Sequence, residues 1–310
     1  MLVPLHPEGW FVYGPSDDRY YVPRPGLRYR MGEDWFEHSA LGAPQGRDVR
    51  PEARGRRRVA FVGDSVCYGL FAAGERNVCR RVQAALGEPW EALNFGVPGY
   101  NAHMVAATLR EQVLRFEGLE AVVYLFHEND LINATFSGAY LHRPSVFRER
   151  YDLPAPTWKR LLRRSIFLSW TRDRLQPAPP PAPPEAGHQP PRAASAHALL
   201  LHELLERDTP HRGWFLSHLR DMRDRCRAAG LPFALLYVPL EDTLYLDERG
   251  RYRDTLEALC RGEGVTFLDG LEALRPARGE RLYGDSAHPD GRGHELLARP
   301  ALAWLRGVTR

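Results

Sequence analysis

The chain has 310 residues, 44% of them hydrophobic and 26% charged, which suits one large globular unit or a unit with an extension. A formal net charge of +3 gives no electrostatic case for a nucleic-acid partner, and the arginines are spread along the chain rather than striped. The longest apolar runs, such as 121–126, are far too short to span a bilayer, so no integral membrane segment is expected.

Cys67, Cys79, Cys226 and Cys260 form no Cys-x-x-Cys pair and have no histidine at metal-ligand spacing. They read as reduced, buried residues of a cytoplasmic protein, and the opening Met-Leu-Val-Pro-Leu-His-Pro-Glu lacks the pattern of a secretory signal. Cys67, two residues after Ser65, is a rival nucleophile only if a basic neighbour lowers its thiol pKa.

Residues 1–55 carry Trp10, Phe11, Tyr13, Tyr20, Tyr21, Tyr29, Trp35 and Phe36 with no sustained helical or strand period. They are expected to form an extended aromatic arm packed on the domain that follows, residues 56–310. A stacking strip for sugars or bases is the alternative.

Val59-Ala60-Phe61-Val62-Gly63-Asp64-Ser65 reads as a short strand buried on both faces, ending in a tight turn with Ser65 where a helix can begin. A helix is predicted over 75–86, a second strand over 91–95, a helix over 102–116 and a third strand over 121–126. Three strand–helix units in succession imply a parallel sheet covered by helices on both faces.

From 132 to 212 the periodicity weakens. This insertion holds a basic amphipathic stretch, 158–175, expected to be a helix packed on the domain, and a proline tract, 177–191, expected to be a solvated linker or loop. Regular structure resumes with a helix over 214–229, a strand over 232–238, a helix over 252–263, a strand over 265–268 and a closing helix over 293–305.

In open α/β sheets ligands collect beyond the carboxyl ends of the strands. Ser65, Gly99 and Asn129 follow the first three predicted strands, and the order 2-1-3-4-5 makes those ends neighbours. A serine needs a base held by a third group, and Asp285 and His288, three residues apart in one loop, are such a pair. Acyl transfer also needs donors where the carbonyl oxygen gains charge. The Ser65 and Gly99 N–H groups and the Asn129 amide are candidates. Taken singly, Asp-x-x-His is equally a turn or helix cap, Gly99 a turn glycine and Asn129 an Asx-turn residue. Asp64, Tyr100 and His127 stand at the same strand ends and are candidates for the substrate pocket. His127 also reads as a satisfied strand-end histidine, and Glu128 as facing solvent.

Gly63-Asp64-Ser65, Gly99 within Asn94-Phe95-Gly96-Val97-Pro98-Gly99-Tyr100-Asn101, Asn129-Asp130, and Asp285-Ser286-Ala287-His288-Pro289 together resemble the four blocks of the SGNH (GDSL-type) hydrolase superfamily, in family order over about 57–306. The resemblance implies an α/β/α sandwich on a five-stranded, flavodoxin-like parallel sheet, and a serine esterase working through an acyl-enzyme without metal or organic cofactor. It implies Ser65 as nucleophile, His288 as general base and acid, Asp285 as its orienting partner, and Ser65, Gly99 and Asn129 as oxyanion hole. The substrate would be a small-molecule or saccharide acyl ester. An acyltransferase using the same residues on a sugar or other hydroxyl, or a non-catalytic binding protein keeping the fold, are the alternatives. Two features depart from the pattern: His127 stands where a glycine is usual, and the insertion after Leu131 enlarges the minimal domain.

Overall fold

Val59, Ala60, Phe61 and Val62 are wholly buried in the central region of a parallel sheet. The computed structural model describes residues 11–16, 18–31, 34–44, 49–131, 196–246 and 251–309. The basic amphipathic stretch and the proline tract lie outside the described residues, as does most of the insertion.

Two antiparallel hairpins come first: β1 (Phe11–Ser16) with β2 (Arg19–Pro23), and β3 (Arg28–Met31) with β4 (Asp34–Glu37). The aromatic segment is therefore paired where no strand period was expected. Strands of 4 to 6 residues are too short for alternation to emerge against so many rings. The elements that follow are β5 (Arg57–Gly63), α1 (Ser65–Tyr68), α2 (Val78–Leu86), β6 (Trp90–Gly96), α3 (Ala102–Glu111) and β7 (Leu119–His127). After the insertion come α4 (Ala196–Glu206), α5 (Pro210–Ala228), β8 (Phe233–Val238), α6 (Glu241–Leu246) and α7 (Arg251–Gly262). The chain closes with β9 (Thr266–Asp269), α8 (Gly270–Leu274) and α9 (Gly291–Val308).

The sheet order is β6-β5-β7-β8-β9, all parallel, which is the 2-1-3-4-5 order the resemblance implied. Strands buried on both faces need unbroken apolar runs, and β6 and β8 are buried along their whole length. Register decides what meets at the carboxyl end: Gly63 of β5 pairs with Gly96 of β6 and with Leu125 of β7. The turns that carry Ser65, Gly99 and Asn129 therefore all open from the carboxyl end of the sheet. At the opposite end Arg58 and Glu91, both buried, close an ion pair at 2.7 Å between β5 and β6.

The hairpins dock on the domain at two places. Arg19 donates to Gln112 at 2.7 Å, Asp18 pairs with Arg110 at 2.6 Å, and Ser16 donates to Glu111 at 2.9 Å, tying the first hairpin to the end of α3. In the second, Phe36 stacks on Tyr68 with ring centroids 5.2 Å apart, while Tyr29 and His38 hydrogen-bond the Tyr68 hydroxyl.

Candidate active site

Gly63 has no room for a side chain: a β carbon there would lie 2.7 Å from the Leu125 carbonyl oxygen and 2.8 Å from Cys67 Cβ. That clearance lets β5 turn directly into α1. Asp64 caps the helix by accepting from the Val66 N–H at 2.8 Å, a bond worth about 1 kcal/mol in helices generally. Asn94 stitches the turn to β6, donating to the Cys67 carbonyl at 2.8 Å and accepting from the Gly96 N–H at 2.8 Å. Ser65 is thereby held at the first position of α1.

Residues 282–290 fold back on themselves. Gly284 N–H donates to the His288 carbonyl at 2.9 Å, Asp290 N–H to the Leu282 carbonyl at 2.8 Å, and Asp290 then caps α9. The Tyr283 hydroxyl pins this loop to β8 by donating to the Pro239 carbonyl at 2.8 Å. Within the loop both carboxylate oxygens of Asp285 lie 2.9 Å from His288 Nδ1, and Oδ1 also accepts from the Ala287 and His288 N–H groups. Burial alone pushes the Asp285 carboxyl up; those donors outweigh it and hold the pKa at about 2. An ionised carboxylate can only accept, so Nδ1 carries the imidazole proton and Nε2 is free to take another. His288 Nε2 lies 2.8 Å from Ser65 Oγ.

This chain of contacts is able to draw a proton off a serine hydroxyl. Ser65 Oγ has a second acceptor in Asp64 Oδ2 at 3.2 Å, the longer of the two contacts. Gly99 adopts φ +79° in the turn after β6, and neither its N–H nor that of Ser65 has a protein acceptor among the described residues. Asn129 sits in the turn after β7, half-buried, with its Oδ1 unpartnered.

Three pocket candidates are placed differently. Asp64 is fully buried as the helix cap, and Tyr100 is fully buried with its hydroxyl donating to the Tyr21 carbonyl. Neither side chain presents surface to a substrate. His127 is fully buried too; its ring nitrogens make no close hydrogen bond, Nδ1 lying 4.0 Å from Asp64 Oδ2, and the Asn129 side chain also acts on the ring. Burial lowers its pKa and favours the neutral imidazole.

Glu128 corrects a second expectation. It does not face solvent; it is fully buried, accepting from Tyr237 Oη at 2.5 Å, Thr243 Oγ1 at 3.0 Å and the Leu240 N–H at 3.2 Å. His202 of α4 approaches it at 3.6 Å, so Glu128 joins the end of β7 to β8, α6 and the helix after the insertion. A carboxylate between two turn-like residues gives no sequence signal of such burial. Beside it the Asp130 carboxyl accepts from Tyr124 Oη at 2.6 Å; burial and the nearby Asp64 charge push its pKa well up.

Phe71 was not singled out in the sequence. Its backbone has φ +62°, the residue is 39% exposed, and its ring centroid lies 5.9 Å from that of His288. Cys67 is buried and its thiol pKa is pushed well up, first by burial, which makes it a poor nucleophile. Among the described residues no group of three or more His, Cys, Asp or Glu is arranged to hold a metal ion. No helix among them is long and apolar enough to cross a membrane.

Similar solved structures include the lipase/acylhydrolase from Enterococcus faecalis, 16% identical over 81% of this chain and 96% of that one, with a TM-score of 0.46. A member of the lipolytic protein G-D-S-L family from Veillonella parvula is 12% identical over 80% and 97%, TM-score 0.44. A catalytic mutant of an acetylxylan esterase from Geobacillus stearothermophilus is 15% identical over 82% and 94%, TM-score 0.44. By sequence, no curated protein matches the chain. The family model of the GDSL-like lipase/acylhydrolases matches residues 61–296, from the strand before Ser65 to the helix after His288, and the chain belongs to that family.

Proposed function

We propose that the protein is a serine esterase that cleaves a small acyl ester through an acyl-enzyme. The observation that carries this reading is the continuous hydrogen-bonded chain from Asp285 through His288 to Ser65. Ser65 Oγ attacks the ester carbonyl as its proton passes to His288 Nε2. Asp285, ionised above about pH 2, stabilises the imidazolium that forms. The carbonyl oxygen gains charge and is met by the Ser65 and Gly99 N–H groups and the Asn129 side-chain amide. The imidazolium then protonates the departing alkoxide. Water adds to the acyl carbonyl as its proton passes to His288, and that proton returns to Ser65 Oγ as its bond to the acyl carbon breaks and the acid leaves.

Residues 1–55 are best read as an extension docked on a catalytic unit that begins near residue 56. The four cysteines, all buried, support a reducing, cytoplasmic setting.

The test is turnover of p-nitrophenyl esters of graded chain length by the wild type and by Ser65→Ala. Turnover by the wild type that vanishes in the variant is the expected result, and the length profile sizes the pocket. Equal turnover by both proteins would remove Ser65 from the reaction. Adding acceptor alcohols and sugars separates hydrolysis from acyl transfer by product ratio.

A further inference from the structure

Tyr21 sits on β2, outside the segment that matches the family, yet it touches the turn that carries Gly99. Its hydroxyl donates to the Pro98 carbonyl at 2.7 Å. Its ring packs edge-on against Tyr100 with centroids 5.3 Å apart, and the Tyr100 hydroxyl donates back to the Tyr21 carbonyl. Tyr21 is thus held to the turn at two points, Pro98 and Tyr100. The φ of +79° favours glycine at position 99, and a β carbon there would meet the Tyr21 hydroxyl oxygen at 2.7 Å, so the tyrosine would have to shift.

The Pro98 carbonyl and the Gly99 N–H belong to one peptide unit, and that unit is trans. In a planar trans peptide C=O and N–H point in opposite directions, so whatever fixes the carbonyl fixes the aim of the N–H. A hydrogen bond accepted by the carbonyl also polarises the amide and makes its N–H a stronger donor. The Gly99 N–H has no protein acceptor among the described residues and is available for a developing oxyanion.

We propose that Tyr21 is a positioning residue for the oxyanion donor at Gly99, so that the N-terminal arm completes the active site. This rests on the esterase reading above. The arm's anchors fit the role. Arg19, Asp18 and Ser16 fasten the hairpin to α3, the helix that follows the Gly99 turn, so Tyr21 and its target ride on one rigid assembly.

The experiment is Tyr21→Phe, which deletes the hydroxyl and keeps the ring against Tyr100, assayed on p-nitrophenyl acetate together with thermal unfolding and fluorophosphonate labelling of Ser65. The expected result is a kcat about tenfold lower with KM within about twofold and an unchanged melting temperature, a fraction of what losing a whole donor costs. A wild-type kcat in the variant overturns the inference while leaving the esterase reading intact, and so does a raised KM with kcat unchanged. A wild type that neither labels nor turns over ester removes the esterase reading and this inference with it. Should Tyr21→Phe not fold, 3-fluorotyrosine at position 21 keeps the shape and makes the hydroxyl a stronger donor. It should raise kcat at constant KM, and an unchanged kcat overturns the inference.

Discussion

His288 Nε2 and Ser65 Oγ stand 2.8 Å apart although 223 positions separate the two residues in the chain. Each is also positioned by its own element. Ser65 is fixed by the cap of α1 and the carboxyl end of β5, His288 by the folded-back loop before α9. Two rigid elements thus present a hydroxyl and an acceptor nitrogen with little freedom left to lose on binding substrate.

If the three residues act as one unit, their deletions do not add. Ser65→Ala and His288→Ala should each lower kcat by about 10⁴–10⁶, and the double variant should be no worse than either. Asp285→Asn should cost about 10⁴ by releasing the imidazole tautomer. Because the Asp285 pKa is about 2, the carboxylate is ionised throughout an ordinary assay range, so the loss measures the missing acceptor and charge rather than a change in its protonation. Steady-state kinetics on one activated ester measures all three, and additive losses would count against the unit.

If Asn129 supplies the oxyanion donor proposed above, Asn129→Ala removes a contact that matters only when the oxyanion forms. Its kcat should fall by about 10²–10³ with little change in KM. A variant with raised KM and intact kcat would instead make Asn129 a ground-state contact.

Gly284 tests the wall beside the histidine. A β carbon there would lie 2.3 Å from Phe71 Cγ, so Gly284→Ala forces the ring or the loop to move. Urea unfolding should register a cost of about 1–3 kcal/mol, as overpacking usually does. Adding Phe71→Ala should recover part of the Gly284→Ala loss, because the two residues touch. Independent, additive costs would mean that the loop yields without involving the ring.

Stability should decline in mild acid. His294 is fully buried on α9, accepts from the Val78 N–H through Nδ1 at 3.2 Å, and is lowered to about 3, first by burial. The unfolded chain takes up this proton near pH 6.5, its ordinary value, and the folded one does not, so folding stability is complete above about 6.5 and falls with pH until about 3. By pH 5 the loss from this one residue is about 2 kcal/mol. His294→Asn retains an acceptor for Val78 but cannot titrate, so its unfolding free energy should vary less between pH 7 and 5 by that amount. Parallel curves for the two proteins would contradict it.

The sheet was legible because buried parallel strands write themselves as apolar runs. The runs ending at Phe95, Phe126 and Val238 each matched a strand within two residues at either end. The loop residues were legible only through the four short blocks, since nothing local in Asp285-Ser286-Ala287-His288 names position 65 as its neighbour. What stayed hidden depended on tertiary partners. Glu128 looks solvent-facing until Tyr237 and Thr243, far along the chain, donate to it. His127 looks satisfied until the fold buries it beside Asp64 without a close hydrogen bond. Tyr21 was one aromatic among many, and only the fold sets its hydroxyl on Pro98.

The most direct measurement is fluorophosphonate labelling of the purified protein, with the modified peptide mapped by mass spectrometry, in wild type and His288→Ala. A single adduct on Ser65 that forms readily in the wild type and at least about 10³ times more slowly in the variant is the expected result. No adduct, an adduct on another residue, or equal labelling rates in the two proteins would contradict an activated serine at this site.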